Sequence, residues 1–161
     1  MSDVVAAITA MASTAIFGGV TGIKKAFDTV PSGVDLPLPC VLLFPFEGLI
    51  SGTESDTAPE LFGARMTTHH IKAQVLVSQQ SDLQDNERVA RPFLSRFVTT
   101  IDRFKTLNGT ANVIDATITH YKYGLIKLRA GDPDYLGWEM TIKILELETS
   151  ATLYGSTGPA V

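Results

Sequence analysis

The sequence predicts an α+β fold: a mainly antiparallel sheet of four to five strands, two helices packed on one face, and one long loop. Three patterns carry this expectation. Apolar residues recur at helical spacing in two separate stretches, one at the N-terminus and one across residues 83–104. Runs rich in β-branched and aromatic residues fill most of the rest. The order is helix, extended segment, strand, long loop, strand, helix and then a meander of strands.

In the first stretch, Ser2 or Asp3 can cap a helix whose apolar positions are Val4, Val5, Ile8, Met11, Ala12 and Ala15, with Gly18-Gly19 as its stop. The following VTGIKKAFDTV, residues 20–30, alternates imperfectly and breaks at Pro31-Ser32-Gly33, as an extended segment entering a turn does. Residues 36–48 read LPLPCVLLFPFEG. Pro37 and Pro39 hold Leu36 and Leu38 extended and cannot donate to a ladder, so regular pairing is left to Cys40–Phe44. That run has no alternation, which predicts a strand buried on both faces.

Residues 47–65, EGLISGTESDTAPELFGAR, hold four acids, three glycines and no hydrophobic period. Usual connections are about four to six residues, and unstructured stretches of this length are commonly binding loops or disordered. Order returns at Thr67–Gln79, with Ile71, Ala73, Val75 and Val77 on one face and His70, Lys72 and Gln74 on the other. Ser81 or Asp82 can cap the second helix. Its apolar stripe is Leu83, Ala90, Leu94, Phe97, Ile101 and Phe104, set against Glu87, Arg88, Arg91, Ser95 and Arg96. Pro92 predicts a kink or a restart near Arg91, and Asn108-Gly109 closes the segment. Three strands follow, Asn112–Tyr123, Leu125–Arg129 and Leu136–Glu148, with Arg129–Asp134 as a hairpin connection. Trp138, Met140, Ile142 and Ile144 share a face, but Glu146 and Glu148 fall on that face too, so a bulge or a change of environment is expected near Leu145.

At 161 residues the chain has the size of one domain, taken as 1–150, with the small, polar 151–161 as a flexible C-terminal tail. Hydrophobic residues make up 45% and charged residues 19%, so part of the apolar surface is expected against other chains. The net charge is −4 and no basic run exceeds Lys24-Lys25, which removes the electrostatic footing of a nucleic-acid-binding face. The single cysteine, Cys40, sits in an apolar run and reads as a small buried hydrophobe in a reducing compartment. The first twenty residues lack a basic leader and break at Gly18-Gly19, so they read as a packed helix and not as a signal peptide or membrane span.

No catalytic constellation emerges, and the chain is expected to be no enzyme and to carry no cofactor or metal. His69 and His70 point to opposite faces of one strand, and with His120 they cannot form a metal cage. Gly19–Gly22 follows a helix, the wrong context for a dinucleotide loop. The pairs Asp132/Asp134 and Glu54/Asp56 read as solvated turn residues. Arg88, Arg91 and Arg96 form either a solvated helix face or an inter-subunit salt-bridge face.

The order of GIKKAFDTVPSGV, LPLPCVLLFPFEG, a long loop, HHIKAQVLVSQ, VARPFLSRFVTTIDRF and GWEMTIKILELE resembles the tail terminator proteins of long-tailed bacteriophages over roughly residues 3–148. The resemblance implies a homo-oligomer, a hexameric ring in the neck of the virion, assembled in the host cytoplasm and not on a membrane. Such a ring sits on the last tail tube protein subunits, stops tube growth and offers a docking surface to the head connector or stopper protein, while DNA passes through the lumen without specific binding. Carried over by position, Glu47, Glu54, Asp56, Glu60 and Arg65 become tube, lumen or subunit contacts, and Arg88, Arg91 and Arg96 a candidate subunit interface. Another connector component (stopper or adaptor) or a tail tube subunit is the neighbouring reading. A small-molecule-binding α+β domain, with a pocket lined by His70 or His120, is the reading from another class.

Overall fold

The computed structural model describes residues 4–32, 35–45, 65–79 and 83–148. The expected caps at Ser2, Asp3, Ser81 and Asp82, the loop acids Glu47, Glu54, Asp56 and Glu60, and the tail 151–161 lie outside the described residues. Seven elements follow in chain order: α1 (Val4–Ala12), β1 (Lys25–Phe27), β2 (Cys40–Pro45), β3 (Arg65–Gln79), α2 (Leu83–Arg103), β4 (Val113–Ile126) and β5 (Tyr135–Glu148). The strands form one five-stranded sheet in the order β1-β2-β3-β5-β4. Only β1 and β2 are parallel; the other three pairings are antiparallel.

The helix α1 is shorter than its apolar spacing predicts. It stops at Ala12, where the Ser13 hydroxyl donates to the Ala10 carbonyl (2.6 Å) and the Gly18 amide turns back to the Ser13 carbonyl (2.8 Å). Local side-chain bonding of this kind competes with helix continuation. A 3₁₀ turn over Phe17–Gly19 then returns Phe17 to the interior, edge-on to Phe97 with ring centroids 4.8 Å apart.

Both helices bury their apolar residues in one cluster with one face of the sheet. Ala7, Ile8 and Met11 of α1 and Ala90, Phe93, Phe97 and Ile101 of α2 join Val41, Leu43, Ile71, Ala73, Val75, Met140, Ile142 and Ile144. The opposite sheet face carries a smaller cluster of Cys40, Leu42, Leu76, Ile126 and Tyr135, flanked by Phe27, Leu36, Leu38, Phe44 and Leu128. Cys40 to Leu43 are therefore buried on both faces, as their missing alternation predicts. Burial pushes the Cys40 thiol up to about 11, so it stays protonated and unreactive near neutral pH.

One expectation needs correction, and two are narrowed. Helix α2 runs unbroken through Pro92, so there is no restart at Arg91; the proline ring leaves the Arg88 carbonyl without an amide donor. The segments expected as separate strands around Gly124 are one strand, because Gly124 keeps register opposite Gly137. A bulge does lie near Leu145, with its extra residue on the partner strand: Val113 faces Glu146 and Asp115 faces Leu145, which leaves Ile114 unpaired. The β5 phase never inverts, and Glu146 stays on the apolar face, 3% exposed.

Gly137 marks a close approach of two strands. A Cβ there would run into the Val75 carbonyl oxygen, and that atom is backbone held by its own ladder. Gly137→Ala is therefore expected to lower unfolding stability by about 1–3 kcal/mol or more in a urea titration. Gly124→Ala, with nothing within 4 Å of its Cβ, is expected to be neutral or mildly stabilising. Equal midpoints for the two variants would contradict the close approach.

Candidate functional site

The Gly19–Gly22 turn lies against α2 and leaves a groove of about 330 Å³ between them. Its side chains are Thr21, Ser95, Arg96, Thr99, Thr100 and Arg103, with Gly19 and Val20 contributing the opposite wall. One helical stripe supplies most of it, since residues 96, 99, 100 and 103 recur at steps of three and four. The Arg96 guanidinium donates through Nη1 to the Thr21 carbonyl (2.9 Å) and lies over the Phe93 ring at 5.3 Å. Arg103 lies over the Phe104 ring at 5.4 Å. Among the described residues, neither arginine has a carboxylate within ion-pair distance.

The hydroxyls in the groove differ in what they can still do. Ser95 Oγ donates to the Pro92 carbonyl (3.0 Å) and Thr100 Oγ1 to the Arg96 carbonyl (2.7 Å). Each has spent its proton and faces a ligand as an acceptor. Thr21 and Thr99 keep a free hydroxyl among the described residues. The groove thus offers cationic donors, neutral donors and acceptors side by side.

The three arginines expected as a stripe are separated. Arg91 is neutralised one turn back by Glu87 (2.6 Å), and both side chains are exposed; the hydrogen bond and charge of Glu87 raise the Arg91 pKa. Arg88 is exposed, and Arg96 turns toward Thr21. Arg103, absent from the sequence-based set, completes the groove; its place seven residues after Arg96 was the available signal. Arg65 opens β3, opposite Glu148, and its side chain is outside the described set, as are the acids of 47–60.

Two further polar assemblies lie on the sheet. On the helix-covered face, His69 Nε2 meets Glu146 Oε2 at 3.0 Å, with side chains 10% and 4% exposed. Thr67, directly opposite Glu146, is also buried, and its hydroxyl has no partner among the described residues. On the other face, Glu139 accepts from Gln74 Nε2 (3.0 Å) and pairs with Lys72 (3.3 Å). Burial raises the Glu139 carboxyl, but the bonds from Gln74 and Lys72 and the charges of Lys72 and Lys122 outweigh it and hold it below the usual 4.5.

The histidines divide as strand geometry requires. His69 faces the core, His70 the opposite face beside Lys143, and His120 is exposed on the edge strand β4. Among the described residues no three His, Cys, Asp or Glu side chains gather into a metal cage, and no helix is long and apolar enough to cross a membrane. No protein-family model matches the chain, and no curated protein sequence matches it either.

Removing Glu146 strands a buried imidazole, so Glu146→Ala is expected to destabilise by about 1–3 kcal/mol in chemical denaturation, while His70→Ala stays within about 0.5 kcal/mol. The Glu139 carboxyl, with its pKa lowered in the folded state, contributes stability above pH 4.5 that is lost as pH falls below it. With both partners partly exposed, that contribution is at most about 1 kcal/mol. Wild-type and Glu139→Gln melting temperatures should therefore differ at pH 7 and draw together progressively as pH falls below 4.5; a constant difference across the acid range would contradict the assignment.

Proposed function

We propose that the protein is a phage tail terminator: a ring of identical subunits that caps the tail tube, stops its growth and presents a surface to the head connector. The observation that carries this reading is the α+β sheet with its helices on one face, laid out in the chain order of the resembling passages. GIKKAFDTV and LPLPCVLLFP are the parallel pair β1–β2 at one edge, HHIKAQVLVSQ belongs to the central β3, and GWEMTIKILELE is β5.

A ring needs two different surfaces on each subunit that meet by rotation. Two features support that requirement. The sheet has dissimilar edges, a three-residue β1 and a fourteen-residue β4. Large apolar side chains also lie exposed at separate places, including Val5 on α1, Val89 on α2, and Tyr121 and Leu125 on β4. In this reading DNA passes through without specific binding, in keeping with the net charge of −4. No catalytic role is part of it.

Light scattering and electron microscopy of the purified protein, alone and mixed with tail tubes, test the proposal. Closed rings, free or on tube ends, are the expected result; open-ended polymers would indicate a tube subunit, and a monomer that ignores tubes would overturn the reading. Deleting Thr53–Pro59 is expected to preserve the circular-dichroism spectrum and cooperative melt while tails fail to terminate. Normal tail lengths with that variant would remove the acidic segment from the mechanism.

A further inference from the structure

We propose that the groove between the Gly19–Gly22 turn and α2 is a docking site for an extended acidic peptide segment of a partner protein, read through two carboxylates. The first argument is charge. In a chain with 17 acids and 13 bases, Arg96 and Arg103 lack a carboxylate among the described residues and flank one groove. Arg91 and Lys105, on the same helix or just beyond it, are by contrast paired with Glu87 and with Asp102 and Asp115.

The second argument is spacing. Seven residues along a helix separate the Arg96 and Arg103 backbones by about 10 Å. Their side chains do not converge: Arg96 leans over Phe93, on the N-terminal side, and Arg103 over Phe104, on the C-terminal side. A single small anion bridges such a pair poorly. Two acids four residues apart on an extended strand project from the same face and stand about 13 Å apart, a span that suits two guanidiniums leaning away from each other.

The third argument is the mixture of hydrogen-bonding roles. Ser95 and Thr100 offer lone pairs, and Thr21 and Thr99 offer hydroxyl protons. A free phosphate, which brings mainly acceptors, would meet unfavourable lone pairs at Ser95 and Thr100. A peptide backbone brings N–H and C=O alternately and suits both kinds. The groove is also open and polar, unlike the enclosed apolar cavities that hold small ligands.

The test is titration of the full ¹⁵N-labelled chain with acetyl-EGSGE-amide, followed by amide chemical shifts and calorimetry. Acetyl-QGSGQ-amide and inorganic phosphate serve as parallel probes. Saturable shifts at Thr21, Thr99 and Arg103 are expected with the diacid peptide, weaker at high salt. Arg103→Gln is expected to cut its affinity about tenfold or more. Arg103 is exposed and, among the described residues, its guanidinium has no hydrogen bond or ion pair and lies over the Phe104 ring, so this variant is expected to keep the fold even if Arg96→Gln disturbs the Thr21 contact. Equal binding of the diglutamine peptide would overturn the proposal, and so would phosphate binding as tightly as the diacid. Failure of the diacid peptide, with self-association that Arg103→Gln abolishes, would overturn it in favour of a second copy in the groove.

Discussion

The antiparallel register of β3 against β5 is the constraint on which the rest of the molecule depends. Twelve consecutive pairs, from Arg65–Glu148 to Leu76–Gly137, run without a shift. Because side chains alternate with a period of two, that register decides every facing at once. It sends Ile71, Ala73 and Val75 toward the helices together with Met140, Ile142 and Ile144, and sends Lys72, Gln74 and Glu139 the other way. A slip of one residue would bury Lys72 and expose Val75. The ladder shifts only past Leu76, next to Gly137, where the backbones come too close to admit a side chain.

The same register accounts for the polar pair inside the apolar face. Glu146 follows Ile144 by two residues and His69 precedes Ile71 by two, so both continue the buried stripes beyond the last apolar rung. They lie diagonally across the two strands, within reach of each other, and their hydrogen bond offsets the cost of burial. Thr67, opposite Glu146, is buried as well, but its hydroxyl has no partner among the described residues. The end of the sheet near Arg65 and Glu148 is thus chemically distinct from the all-apolar middle.

Much of this was legible in the sequence where one local rule acts alone. The double burial of Cys40–Leu43, the two faces of β3, the amphipathic α2 and the left-handed stop near Asn108-Gly109 all follow from periodicity and residue type. The misreadings arose where a tertiary contact overrode the local rule. Gly124 breaks a strand only if nothing aligns it, and pairing with Gly137 does. At Pro92, where a kink or a restart was expected, the helix does not restart: the indole of Trp138 donates to the Ala90 carbonyl (2.7 Å), and Phe93 and Phe97 pack the next turn into the core. The candidate groove was half visible: Arg96 was in the expected set, but its separation from Arg91 and its grouping with Arg103 and Thr21 depend on how a turn 75 residues earlier meets α2.

That meeting rests on Gly22. Its φ of +91° lies in the left-handed region that side chains disfavour, and a Cβ there would crowd the Phe93 ring at 3.2 Å and Arg96 Nη1 at 3.3 Å. With no side chain at 22, the turn closes onto α2 and the Thr21 carbonyl accepts from the Arg96 guanidinium. One bond and one aromatic face then hold a long, flexible cation in a single pose at the groove's rim. Lysine would lack the flat guanidinium that lies on Phe93 while bonding sideways to a carbonyl, so the position calls for arginine specifically. An arginine already immobilised loses less entropy when it meets a carboxylate than a freely moving one does. The helix therefore uses its two polar flanks differently: the Glu87–Arg91 pair is already satisfied, and the charge of the Arg96–Arg103 stripe is left to act outward.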